Sequence, residues 1–138
     1  MLSQVRPVNK SFCLQMLCEK NYTLLLKLTP LLNPSVINTT IRSKLLETGP
    51  FTHTLTLYHH GYEQDLSSPQ FKCRVYLDTK SVEVISVQGT VFQRNSARQS
   101  AKDMLNKKWD LNYFLEKWLT FQLKLSTVNR DTNHAVNA

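Results

Sequence analysis

The sequence predicts an α+β domain, an antiparallel sheet of four or five strands with an N-terminal and a C-terminal helix packed on one face. Three observations carry this reading. An apolar stripe at helical spacing opens the chain, a second one closes it, and residues 36 to 93 between them alternate with period two. The 138 residues set one domain, and 41% apolar against 20% charged residues is enough to bury a core and too apolar for disorder. The expected organisation is a loose N-terminus at 1–10, one α+β domain at 11–125 and a flexible C-terminal tail at 126–138.

From Ser11, a candidate N-cap, Leu14, Leu17, Cys18, Leu24, Leu25 and Leu28 recur at helical spacing until Thr29-Pro30 closes the stripe. Asn21 falls seven residues after Leu14, inside the stripe. A polar side chain there either finds a hydrogen-bonding partner or, beside Glu19 and Tyr22, faces a pocket between helix and sheet.

Ile37, Thr39, Ile41, Ser43 and Leu45 then alternate with Asn38, Thr40, Arg42 and Lys44, and Glu47-Thr48-Gly49-Pro50 supplies a turn. In the second strand, Phe51 to His60, Phe51, Leu55 and Leu57 share a face with His53, while Thr52, Thr54, Thr56 and Tyr58 take the other. A polar loop leads to a third strand, where Phe71, Cys73, Val75 and Leu77 alternate with Lys72, Arg74, Tyr76 and Asp78. Asp78 to Ser81 turns into a fourth, Val82 to Val87, and Thr90-Val91-Phe92 extends or follows it. Residues 94 to 108, with Arg94, Arg98, Lys102, Lys107 and Lys108, read as a basic connector. Asp110 then caps a helix with the stripe Leu111, Phe114, Leu115, Trp118, Leu119, Gln122 and Leu125, and Trp109 is placed to staple onto Phe114.

Two of these segments resemble a known family. Leu17-Cys18-Glu19-Lys20-Asn21-Tyr22 and Leu111-Asn112-Tyr113-Phe114-Leu115-Glu116-Lys117-Trp118-Leu119 look like the paired signatures of the YqiB-like family of small uncharacterised proteobacterial proteins. The resemblance spans roughly Leu14 to Leu123. It implies this fold and a bacterial cytosolic setting, and it brings no activity to transfer. The chain departs from the family pattern before the last helix. Where the family has a Tyr-Pro-Asn element and an acidic Asp-Glu pair, Asn95 to Lys108 puts Asn106-Lys107 in place of the acids.

The chemistry the sequence offers is sparse. Gly49, Gly61 and Gly89 are isolated, so no glycine-rich phosphate loop is expected, and neither a GxSxG elbow nor a Cys-His pairing supplies a nucleophile. Cys13, Cys18 and Cys73 form no CxxC pair. Their odd number argues against a disulfide framework and for a reduced, cytoplasmic setting, and no signal peptide or membrane span is expected. Cys13 and Cys18 lie about 140° apart around a helix, too far to share a metal easily. His59, His60, Glu63 and Asp65 form the one dense run of metal-type ligands, but no ligand spacing supports them and polar loop chemistry explains them. Neither a metal nor a cofactor is expected.

Charge leaves two function classes ahead of an enzyme with an unrecognised site. The net charge of +7 favours acidic partners. A non-catalytic binding or adaptor protein is the favoured reading, with Phe12, Met16, Tyr22, Tyr113 and Leu123 off the helix stripes as candidate protein or self-association contacts. The alternative is nucleic-acid binding through a basic sheet face, Arg42, Lys44, Lys72 and Arg74 beside Tyr58 and Tyr76, extended by Arg94, Arg98, Lys107 and Lys108. Charge on one continuous surface favours nucleic acid, and scattered charge favours the adaptor. Threonine, lysine, arginine and tyrosine are also what an ordinary solvated antiparallel face uses.

Overall fold

The computed structural model describes residues 10–36, 40–62, 65, 67–88 and 100–137. In chain order these are α1 (Lys10–Leu26), β1 (Ile41–Thr48), β2 (Thr52–His59), β3 (Gln70–Tyr76), β4 (Ser81–Gln88) and α2 (Ala101–Asn137). The strands form one antiparallel meander in the order β1-β2-β3-β4. Thr90-Val91-Phe92 lies outside the described residues, as does the expected loose segment before Lys10.

Helix α1 buries Leu17, Cys18, Asn21 and Leu25. It stops because Pro30 has no N–H to continue the ladder. Its last turn tightens, with Lys27 N donating to Leu24 O (3.1 Å) and Leu28 N to Leu25 O (3.0 Å), and Asn33 Nδ2 takes the freed Leu26 carbonyl at 3.2 Å.

Strand β1 differs from expectation at its C-terminal end. Residues 37–39 lie outside the described set, and the strand runs past Leu45 to Thr48. The reason is a β-bulge. Leu45 pairs with Leu55 and Glu47 with Thr54, so Leu46 is an extra residue that breaks the sequence alternation without ending the strand. The hairpin then closes with Gly49 N donating to Thr52 O (2.8 Å). Phe51 consequently sits in the turn, 63% exposed, and does not share the inner face with Leu55 and Leu57. At the β3–β4 turn Asp78 Oδ1 accepts from Thr79 N (2.9 Å), and Lys80 takes a left-handed backbone at φ 53°.

The inner sheet face, with Ile41, Leu55, Leu57, Phe71, Cys73, Val75, Val82 and Val84, packs on Leu25, Leu28, Leu111, Leu115, Trp118 and Leu119. Phe71 is central. Its ring meets Trp118 at 4.9 Å and Phe114 at 5.2 Å between centroids. Each such fully buried side chain contributes about 1.5 to 3 kcal/mol, so Phe71→Ala, which also leaves a cavity, is a change of about 3 to 5 kcal/mol.

Helix α2 starts earlier than the sequence suggests. Ser100 is the cap: Asp103 N donates to Ser100 Oγ (3.1 Å) and Ser100 N to Asp103 Oδ2 (3.4 Å), a reciprocal capping box. Residues 101–108 are therefore helix, not connector, and Asp110 lies inside the helix. Trp109 stacks on Tyr113 (6.1 Å, 14°) in place of the expected staple to Phe114. The helix also runs to Asn137, giving helical backbone where a flexible tail is expected from 126. Both differences have one cause, since propagating a started helix adds a hydrogen bond per residue and needs no apolar face.

Candidate functional site

Both helices lie on one sheet face, and alternation puts Arg42, Lys44, Thr56, Tyr58, Lys72, Arg74 and Tyr76 on the other. The register sorts them into cross-strand rows, whose members share a face. Arg42 stands opposite Tyr58, and Lys44, Thr56, Lys72 and Ser86 form the next row. Glu47, Thr54, Arg74 and Glu83 form another, and the bulge at Leu46 is what brings Glu47 into it.

That last row is not simply basic. The Tyr76 hydroxyl beside Arg74, then Glu83 and Glu47, hold the guanidinium charged above its ordinary range. Tyr76 Oη in turn donates to Glu83 Oε1 (3.2 Å), so its ring is tethered at the hydroxyl. Lys108 Nζ reaches Glu83 Oε2 at 3.5 Å. The sheet cations Arg42, Lys44 and Lys72 thus form a positive strip, and two carboxylates interrupt it before Lys107 and Lys108. Arg94 and Arg98 lie outside the described residues.

Two clefts meet at Glu83. One, of about 370 Å³, lies between β4 and the first turns of α2 and is lined by Arg74, Val84, Ile85, Met104, Lys107, Lys108 and Leu111 besides Glu83. The other, of about 340 Å³, runs from Glu83 past Tyr76, Thr79 and Ser81 to Ser11, Leu14, Gln15 and Cys18 of α1. Ile85 is itself a bulge residue: Cys73 pairs with Val84 and Lys72 with Ser86, leaving Ile85 unpaired.

Of the pocket candidates Glu19, Asn21 and Tyr22, none lines either cleft. Asn21 is fully buried between the helices and donates through Nδ2 to Asn112 O (3.1 Å), while Glu19 accepts from Gln15 and Tyr22 packs against the core. Asn112 organises this region. Its Oδ1 accepts from Val84 N (2.9 Å) and faces Cys18 Sγ (3.7 Å), and its Nδ2 donates to Lys108 O (2.8 Å). Lys20 Nζ pairs with the buried Glu116 at 2.9 Å. The two signature-like segments therefore bind each other across the helix interface.

The histidine and carboxylate run disperses. His59 Nδ1 shares Gln122 Oε1 (3.1 Å) with Thr40, whereas His60 Nδ1 accepts from Arg42 Nε (2.9 Å). Asp65 accepts from the Ser67 hydroxyl and N–H, which hold its carboxyl below the usual range, and Glu63 is outside the described residues. Among the described residues, no three His, Cys, Asp or Glu side chains stand where they could hold a metal. Burial pushes the Cys18 thiol up to about 12, with Glu83 and Glu19 adding to it, and pushes Cys73 higher. Neither is a thiolate at neutral pH. No helix among the described residues is long and apolar enough to cross a membrane.

Sequence reasoning missed Asn112, Ile85 and Met104. Asn112 carried the same signal as Asn21, a polar residue inside an apolar stripe, three before Leu115 and seven before Leu119. Ile85 carried one too, since alternation from inward Val82 and Val84 sets an apolar side chain on the outward face beside Glu83, whereas the bulge itself depends on the partner strand.

Comparison with known proteins gives a family. A family model described as a protein of unknown function, DUF1249, matches residues 33–127. The matched stretch includes all four strands and the Leu111–Leu119 segment, and leaves Leu17–Tyr22 outside it. No curated protein and no solved structure matches the chain.

Proposed function

We propose that the chain, which belongs to the DUF1249 family by that match, is a small non-catalytic binding protein that holds an anionic partner protein on its uncovered sheet face. The register carries this reading: Lys44 and Lys72 flank Thr56 in one row, Arg42 stands in the next, and both helices lie on the opposite face. All three cations are exposed, where charge raises encounter rates and selects partners more than it adds affinity. The interruption by Glu47 and Glu83 favours a partner of matching extent over a long uniform polyanion. Its resemblance to the YqiB-like family would place this work in the bacterial cytosol.

A second reading, single-stranded nucleic acid, draws support from Tyr58 opposite Arg42, an aromatic ring beside a cation. Tagged protein and its Lys44→Glu/Lys72→Glu variant, incubated with native lysate with and without nuclease, separate the two. The adaptor reading expects a protein partner that survives nuclease and is lost from the double variant. Loss on nuclease treatment alone transfers the face to nucleic acid, and retention unchanged by charge reversal discards the face.

A further inference from the structure

We propose that the cleft between β4 and the first turns of α2 is a second docking surface, for a partner-protein segment that combines an apolar anchor with acidic residues. This rests on the reading of the chain as a binding protein and adds a site with its own chemistry. The cleft floor is aliphatic. Ile85 is 39% and Met104 51% exposed, and Val84 and Leu111 lie beneath them at the top of the core. Ile85 follows the inward-facing Val84, so strand alternation already turns its side chain outward, and the bulge leaves it with no residue opposite it on β3. Met104 is the adaptable wall, because an unbranched thioether can repack against anchors of differing shape.

The rim is cationic. Arg74, Lys107 and Lys108 surround the floor, and the one carboxylate in the lining, Glu83, is already engaged by Lys108 and the Tyr76 hydroxyl. Lys107 makes no ion pair among the described residues. An acidic residue flanking an apolar anchor therefore meets positive charge, and a basic one is repelled. Two features favour a peptide over nucleic acid. No aromatic ring lines the cleft to stack a base. Asn112 already takes the Val84 N–H, so recognition there falls to side chains and not to strand addition.

A random dodecapeptide display library panned on the full chain tests this, followed by anisotropy titration of the enriched peptides. The expected sequences pair Leu, Ile, Met or Phe with Asp or Glu. Met104→Ser and Lys107→Glu should each weaken their binding at least tenfold with the melting temperature unchanged, and Lys44→Glu/Lys72→Glu should leave it within twofold. Failure to enrich, a basic consensus, or binding unmoved by Met104→Ser overturns the cleft. Peptides lost only from Lys44→Glu/Lys72→Glu also overturn it, while leaving the binding-protein reading standing on the sheet face. Displacement by an oligo-dT strand equally from wild type and Met104→Ser likewise moves the site away from the cleft.

Discussion

At one margin of the sheet the outer rim of β4 gives its Val84 N–H to a helix side chain, Asn112. At the other margin β1 leaves Arg42, Lys44, Leu45, Leu46, Glu47 and Thr48 exposed. Both strands carry a bulge, at Ile85 and at Leu46. An unpaired strand edge invites another chain to pair with it, and these two edges avoid that differently. β4 is capped by a hydrogen bond from within the molecule. β1 relies on Lys44 and on a bulge that spoils the ladder any incoming strand would need. A covered edge can afford an apolar cleft beside it, whereas a bare edge has to stay charged.

The sharpest way to break the contrast is Asn112→Ala. It orphans the Val84 N–H and opens a small cavity, so unfolding should become easier by about 3 kcal/mol in a denaturant titration. Amide exchange at Val84 should accelerate while β1 amides keep their rates. A loss under about 1 kcal/mol would mean that the β4 edge is not held by this bond.

The same edge should be sensitive to alkali through Cys18, which lies against Asn112 Oδ1. The sign follows from its raised pKa. Below the unfolded thiol's value of 9.0 its contribution is intact, and as pH climbs toward about 12 the unfolded chain sheds a proton that the folded chain keeps, so stability falls. Melting temperatures from pH 8 to 11 should drop less steeply in Cys18→Ala than in the parent. Parallel curves would remove Cys18 from the account.

Ser100→Ala removes the cap of α2 and should cost about 1 kcal/mol by thermal melting. This result also bears on what could be read beforehand. The stripe from Leu111 to Leu125 and the four strands were legible because burial imposes a period that the sequence must show. The start of α2 was not, since residues 101 to 108 are largely exposed and only helix propensity and the Ser100–Asp103 pair mark them. The basic residues were legible as a set, but their rows were not. Whether Glu47 joins the row of Arg74 depends on the bulge at Leu46, whether Ser86 stands opposite Lys72 depends on the bulge at Ile85, and His59 and His60 are neighbours in sequence that bond to different elements.

The smallest effect on stability, a few tenths of a kcal/mol, is expected when β1 loses its guards. Replacing Lys44 by Val and deleting Leu46 should leave melting nearly unchanged and shift the protein toward larger species in sedimentation velocity. Sedimentation unchanged from the parent at high concentration would show that the bulge and the lysine do not protect this edge.

The bonds that join α1 to α2 also set a timetable for the chain's synthesis. Cys18 with Asn112, Lys20 with Glu116 and Asn21 with Asn112 are contacts across 94, 96 and 91 residues. At about 5 to 20 residues per second, a ribosome needs roughly 5 to 20 seconds to travel that distance. Throughout that interval α1 exists without the helix that completes its burial, and Asn21 has no carbonyl to bind. The native sheet edge at β4 is equally unfinished until Asn112 is made. The meander can pair early because its hairpins are local, but the fold closes only once α2 has been made, and a nascent chain stalled before α2 presents both an apolar helix face and an open strand to its surroundings.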